Sequence, residues 1–204
     1  MSLAERFADM LAGDGVTRGL IGPREVPRLW ERHLINCAVV GELLPVGARV
    51  VDVGSGAGLP GIALAISRPD LRVDLVEAAQ RRVNFLQEVV AELGLTESVA
   101  VVHGRAEDPT VVSHVGESDW VTARAVAPID RLVRWCMPLL CPGGRLLALK
   151  GAAVEVELAK HRSVIRSLGA VDVRVVRCGV REGCPPTSVA VMERGSRIRQ
   201  KGPK

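Results

Sequence analysis

From Ala48 onward the chain alternates short Val- and Leu-rich runs with segments of helical length, and this rhythm restricts the fold more than any other feature. Arg49–Val53, Arg72–Val76, Ser98–Val102, Asp119–Thr122 and Arg145–Leu149 read as strands. Ile62–Ile66, Arg81–Leu93, Ile129–Leu140 and Val154–Leu168 carry helical periodicity. Strands joined through helices must lie parallel, with right-handed crossovers and helices on both faces of the sheet. The last two runs, Val171–Val176 and Ser188–Met192, are separated only by Gly179, Gly183 and a Pro185-Pro186 turn. They read as a closing hairpin that gives the sheet one antiparallel strand. The expected class is therefore α/β: a Rossmann-like, mostly parallel seven-stranded sheet with one antiparallel strand.

Two helical stretches precede the sheet. Leu3, Phe7, Met10 and Leu11 recur at helical spacing until Gly13-Asp14-Gly15, which is expected to break the pattern. A second helix is expected from about Arg28 to Leu44, with Leu29, His33 and Asn36-Cys37 three or four apart, ending before Pro45 and Gly47. At 204 residues the chain reads as one domain, with N-terminal helices over 1–47, the core over 48–193 and a basic tail over 194–204.

Hydrophobic residues at 48% and charged residues at 25% describe a chain with a real core. No apolar run reaches the roughly 20 residues of a membrane span, and Met1–Arg6 lacks a signal-peptide pattern, so a cytoplasmic protein is expected. Cys37, Cys136, Cys141, Cys178 and Cys184 form no C-x-x-C pair and leave an odd one over. They read as reduced thiols, with neither a metal site nor a disulfide framework expected. The net charge of +4 decides little, but Arg194, Arg197, Arg199, Lys201 and Lys204 crowd the C-terminus, as a phosphate-seeking tail or a solvated terminus would.

Directly after the first strand comes Val51-Asp52-Val53-Gly54-Ser55-Gly56-Ala57-Gly58-Leu59-Pro60-Gly61. Glycines between a strand and a helix allow positive φ and let the backbone approach a ligand closely. A dinucleotide fingerprint needs glycine where this chain has Leu59, so a nicotinamide dehydrogenase is disfavoured. The G-x-G-x-G spacing after Asp52 suits a ligand without a pyrophosphate, and S-adenosylmethionine is such a ligand. Glu77 ends the second strand, where a carboxylate can accept both hydroxyls of a ribose.

Four segments together resemble one family, the bacterial 16S rRNA guanine-N7 methyltransferases called RsmG or GidB. They are Glu31-Arg32-His33-Leu34, the loop Asp52–Gly61, Arg82–Leu95 leading to Gly104-Arg105-Ala106-Glu107, and Ala123-Arg124-Ala125 with Ala148-Leu149-Lys150-Gly151. The resemblance spans nearly the whole chain and implies the class I S-adenosylmethionine methyltransferase fold. It implies cofactor contacts at Gly54, Leu59, Ala106, Glu107 and Arg124, beside Gly56 of the same loop and Glu77. Glu77 stands where many members have Asp, which keeps the chemistry. Asn36 also stands where many have Asp, which removes an acid there.

The implied substrate is 16S rRNA, within the small ribosomal subunit, and a monomer is expected. Guanine N7 has a free in-plane lone pair and loses no proton on attack, so no general base is required. Arg124 is expected to orient the methionine end of the cofactor and border the guanine. Lys150 is expected at RNA phosphate or guanine O6, and Arg32 and His33 beside the cleft. An exocyclic-amine acceptor would call for an acid or amide, Pro-Pro and an aromatic after the fourth strand, where Thr122-Ala123-Arg124-Ala125 stands instead. A cytosine-C5 acceptor would need a cysteine nucleophile, and Cys141 before Pro142 reads as an ordinary turn. Trp30 and Trp135 read as core anchors. A methyltransferase for small molecules or proteins, and a non-catalytic cofactor binder, are the alternatives.

Overall fold

The computed structural model describes residues 1–124, 127–180 and 186–196. Its centre is a seven-stranded sheet in the order β3-β2-β1-β4-β5-β7-β6. The strands are β1 Arg49–Val53, β2 Arg72–Glu77, β3 Val99–His103, β4 Ser118–Arg124, β5 Leu140–Leu149, β6 Ala170–Cys178 and β7 Thr187–Arg194. Only β7 runs against its neighbours, pairing antiparallel with both β5 and β6, as the sequence rhythm predicts. Strand β1 lies between β2 and β4, which sets Asp52 beside Leu75 on one side and Thr122 on the other.

Alternation along β1 explains the two cores. Val50 joins a cluster with Phe7, Leu11, Leu64, Leu75 and Phe85. Val51 and Val53 join another with Val121, Ile129, Leu132 and Met192. A parallel sheet covered on both faces needs apolar residues at both parities, which is why its strands read as continuous Val/Leu runs. Asp52 shares the parity of Val50 and is fully buried. Helices α3 (Gly61–Ser67) and α4 (Gln80–Glu92) follow β1 and β2. Helices α5 (Pro109–Val115), α6 (Ile129–Cys136) and α7 (Val154–Ser167) follow β3, β4 and β5.

Several boundaries differ from expectation for identifiable reasons. Helix α5 was not anticipated, although Asp108 caps Thr110 N–H at 2.9 Å and Pro109 opens the first turn. Helix α6 stops at Cys136 and a 3₁₀ turn covers Met137–Leu139, because Pro138 cannot continue the α-helical ladder. Strand β5 begins at Leu140, five residues before the expected Arg145.

The N-terminal segment departs most. Helix α1 (Leu3–Met10) does not end at Gly13-Asp14-Gly15 but continues through a π-helical turn, Leu11–Gly15, held by the buried Phe7 and Leu11. The expected helix from Arg28 to Leu44 is helical but changes pitch. A 3₁₀ stretch spans Pro23–Arg28, a π-helical stretch Leu29–Ile35, the short α2 Asn36–Ala38, and a second 3₁₀ stretch Val39–Leu43. Pro27 removes one backbone donor, and π turns inside helices frequently mark functional sites. Trp30 is 46% exposed and is no core anchor.

Arg194 belongs to β7 and pairs with Glu117 at 3.0 Å, so it is not part of a solvated tail. The other tail cations, with Ala125, Cys184 and Pro185, lie outside the described residues. Cys37, Cys136 and Cys178 are buried free thiols. Among the described residues no helix is long and apolar enough to cross a membrane, and no three His, Cys, Asp or Glu side chains cluster as a metal site.

Candidate active site

The loop from β1 to α3 is held from beneath. Gly54 and Ser55 donate their N–H groups to Val76 O at 2.8 and 3.2 Å, fixing the loop to the end of β2. The carboxylate of Asp52 accepts Gly61 N–H through Oδ2 and the Thr122 hydroxyl through Oδ1, each at 3.1 Å. Burial pushes Asp52 up to about 6, opposed by its hydrogen bonds and by the charge of Arg124. Gly61 must be glycine for packing. A Cβ there would collide with the Leu75 side chain and sit 2.8 Å from Asp52 Oδ2. Gly54, Gly56 and Gly58 all have positive φ, so the loop takes a path that side chains resist.

Glu77, 4% exposed, closes the other side. Its Oε2 accepts Gly56 N–H and its Oε1 accepts Ala79 N–H, both at 2.9 Å, and Arg82 stands 3.7 Å away. Each carboxylate oxygen keeps a second lone pair. The result is a cavity of about 440 Å³ at the carboxyl ends of the parallel strands, the place where such sheets bind ligands. Gly54, Gly56 and Leu59 of the loop, Glu77 after β2, Ala106 and Glu107 after β3, and Arg124 ending β4 all line it. The structure thus brings every residue expected at the cofactor into one cavity. Leu20, Ile21, Arg82 and Trp135 also line it and were not expected there.

A second cavity of about 310 Å³ opens beside the first. Arg32, His33 and Lys150 line it, and Arg124 lines both cavities. Lys150 Nζ donates to Ala127 O at 2.8 Å and to Glu157 Oε1 at 3.1 Å, leaving one N–H for another partner. Arg32 is half-exposed and 3.5 Å from Glu25. Arg124 Nη1 lies 3.0 Å from His33 Nδ1, and His33 Nε2 lies 2.8 Å from Glu25 Oε2. Burial holds His33 below its ordinary value, with Glu25 opposing and Arg124 reinforcing the shift. Its hydrogen bond with His33 holds the Glu25 carboxyl low.

Cys141 lies at the far end of the sheet. It follows Leu140, which pairs with Ser118 at the start of β4, whereas the cavities meet at Arg124, which pairs with Leu149 at the other end. Its thiol donates to Asp119 at 3.0 Å, and that bond raises it. A thiol nucleophile for these cavities is therefore not supplied by Cys141.

A family profile described as GidB, rRNA small subunit methyltransferase G, matches residues 1–184. The chain belongs to the GidB family. It is 58% identical over 195 residues to the ribosomal RNA small subunit methyltransferase G of Mycobacterium marinum, covering 96% of this chain and 85% of that one. It is 53% identical to the protein of the same description from Salinispora tropica, covering 100% and 86%. Among solved structures, mitomycin 7-O-methyltransferase MmcR superposes with a TM-score of 0.64 at 17% identity, covering 96% of this chain and 61% of that one. Aeropyrum pernix fibrillarin, crystallised with natively bound S-adenosyl-L-methionine, superposes with a TM-score of 0.58 at 21% identity, covering 79% and 75%. At such identities these two likenesses show the fold alone. Membership of the GidB family bears out the expected S-adenosylmethionine-dependent rRNA methyltransferase and does not favour the small-molecule or non-catalytic alternatives.

Proposed function

We propose that this enzyme methylates N7 of a guanine in 16S rRNA, with the small ribosomal subunit as its substrate, acting as a monomer in the cytoplasm. The observation that carries the proposal is the pair of adjoining cavities sharing Arg124. When bound, S-adenosylmethionine supplies a methyl group on a sulfonium, an electrophile that needs no activation by a metal. In the larger cavity Glu77 offers free lone pairs to ribose hydroxyls, the Gly54–Gly56 backbone gives close approach, and Ala106 and Glu107 offer an N–H and an acceptor to an adenine edge. Leu59 contributes apolar wall, and Arg124 a cation for the carboxylate of the methionine end.

The smaller cavity suits the acceptor base. Lys150 retains one N–H for guanine O6 or a phosphate, and the half-exposed Arg32 can meet the RNA backbone. Among the described residues its lining holds no Asp, Glu, Cys or Tyr, and its histidine is engaged at both nitrogens. A wall without a free base fits a nucleophile that loses no proton, as guanine N7 does.

Single-turnover methylation of small subunits and of naked 16S rRNA by a Lys150→Ala variant tests these assignments. A raised RNA KM or a reduced rate is expected, with cofactor affinity kept. Unchanged rate and unchanged RNA affinity would remove Lys150 from the acceptor site, and a preference for naked rRNA would exclude the assembled subunit as substrate.

A further inference from the structure

His33 lines the acceptor-side cavity, yet its ring has little to offer an RNA. Its side chain is 12% exposed, and both nitrogens already have partners, Arg124 Nη1 at 3.0 Å and Glu25 Oε2 at 2.8 Å. A guanidinium only donates, so Nδ1 must present its lone pair to Arg124. The ring proton then sits on Nε2 and points at the Glu25 carboxylate. One neutral tautomer satisfies both contacts, and the acidic partner selects it. Among the described residues His33 is the only group that hydrogen-bonds the Arg124 side chain. That bond joins residues 91 apart in sequence, one on the π-helical stretch Leu29–Ile35 and one at the end of β4.

We propose that Glu25 and His33 form a positioning pair that aims Arg124 at the junction of the two cavities, so that the N-terminal segment, and not the sheet alone, sets the guanidinium. This rests on the reading of Arg124 as the residue between cofactor and acceptor. An arginine side chain has many rotamers, and a partner held at a fixed distance restricts that freedom before any ligand arrives. His33 is thus a positioning residue rather than a contact to RNA.

The arrangement is sensitive to protonation. The charged groups facing His33 are Glu25 and Arg124 at its two nitrogens, Arg32 on its own stretch and Lys150 on the same cavity wall; Arg28 acts on Glu25. Burial and the two arginines disfavour the imidazolium, and Glu25 alone favours it. Protonation would turn Nδ1 from acceptor into donor, opposite a guanidinium. The positioning bond is therefore intact at neutral pH and lost as pH falls through the lowered pKa of His33, below its ordinary 6.5.

The test measures S-adenosylmethionine affinity of the full-length protein by calorimetry without RNA, and single-turnover rate with small subunits, each against pH. His33→Ala and His33→Gln should weaken cofactor binding about tenfold, the scale of one hydrogen bond to a charged group. His33→Asn, whose amide oxygen lies near the place of Nδ1, should stay within about threefold of wild type and lose the decline of affinity at acid pH. In an Arg124→Ala background, His33→Ala should add nothing further. Melting curves on each variant separate loss of fold from loss of positioning. Cofactor affinity untouched by His33→Ala, with only the RNA KM raised, would overturn the proposal in favour of a direct RNA contact. Additivity of the two alanine variants would overturn it as well. The cofactor arm needs no RNA, so a failure of rRNA methylation by the wild-type enzyme would refute the substrate assignment and leave the positioning role standing.

Discussion

Replacing Asp52 by Asn probes the support beneath the cofactor loop. Asp52 is fully buried, and its pKa rises from 3.8 to about 6, chiefly through burial. An acid whose folded pKa lies above its unfolded one contributes its full share of stability below the unfolded value. That share is lost as pH rises through the folded value. From 3.8 to about 6 the loss amounts to about 3 kcal/mol, complete above about pH 7. Asparagine is isosteric and does not titrate. Its Oδ1 can still accept Gly61 N–H, and its amide can donate to the Thr122 hydroxyl, at a cost of about 1 kcal/mol for the rearranged hydrogen bond. Urea unfolding of both proteins between about pH 4 and pH 7.5 measures the difference directly, and pH effects common to both cancel. The wild type has already lost part of that share at about pH 4, so the variant should gain on it by about 2 kcal/mol across the window and end about 2 kcal/mol more stable at its upper end. A stability difference that does not change with pH would refute the reasoning, because Asp52 would then not be a strained carboxylate.

Glu77→Ala removes the acceptor of Gly56 N–H and Ala79 N–H and should weaken cofactor binding at least about tenfold by calorimetry; an unchanged Kd would move the ribose site elsewhere. Gly61→Ala places a methyl group against Leu75 and Asp52 and should cost about 1–3 kcal/mol, roughly 5 °C in Tm; an unchanged Tm would show that the α3 start has slack. Cys141→Ser should keep full methylation rate, since the thiol lies at the opposite end of the sheet from Arg124; abolished turnover would restore a thiol nucleophile. Phe85→Ala, on the buried face of α4, should cost about 3–5 kcal/mol in urea unfolding, with a smaller loss meaning that the cluster refills the space.

The sheet was readable because both of its faces are covered, so each strand announces itself as a run of Val and Leu around β1, β2 and β5. Glu77 was readable because a strand end after a glycine loop has a fixed place in this architecture. Less was readable where structure depends on hydrogen-bond pitch. Residues three or four apart satisfy α, π and 3₁₀ stretches alike, so Leu29, His33 and Asn36-Cys37 predict a helix without saying that it widens around His33. Trp135 packs half-buried against the second core, as its residue type suggests, and also lines the cofactor cavity, which residue type alone does not reveal. The link between His33 and Arg124 spans 91 residues and carries no local signature. Asp108-Pro109 did carry one, a capping residue followed by proline, and marks the helix that the periodicity left out.

The acceptor atom can be identified directly. Small ribosomal subunits lacking the modification, incubated with the enzyme and methyl-labelled S-adenosylmethionine, can be digested and their labelled nucleoside identified and mapped. Label is expected in 7-methylguanosine, at one position of 16S rRNA. Label on an exocyclic amine, on a carbon, on another RNA or on protein would contradict that assignment.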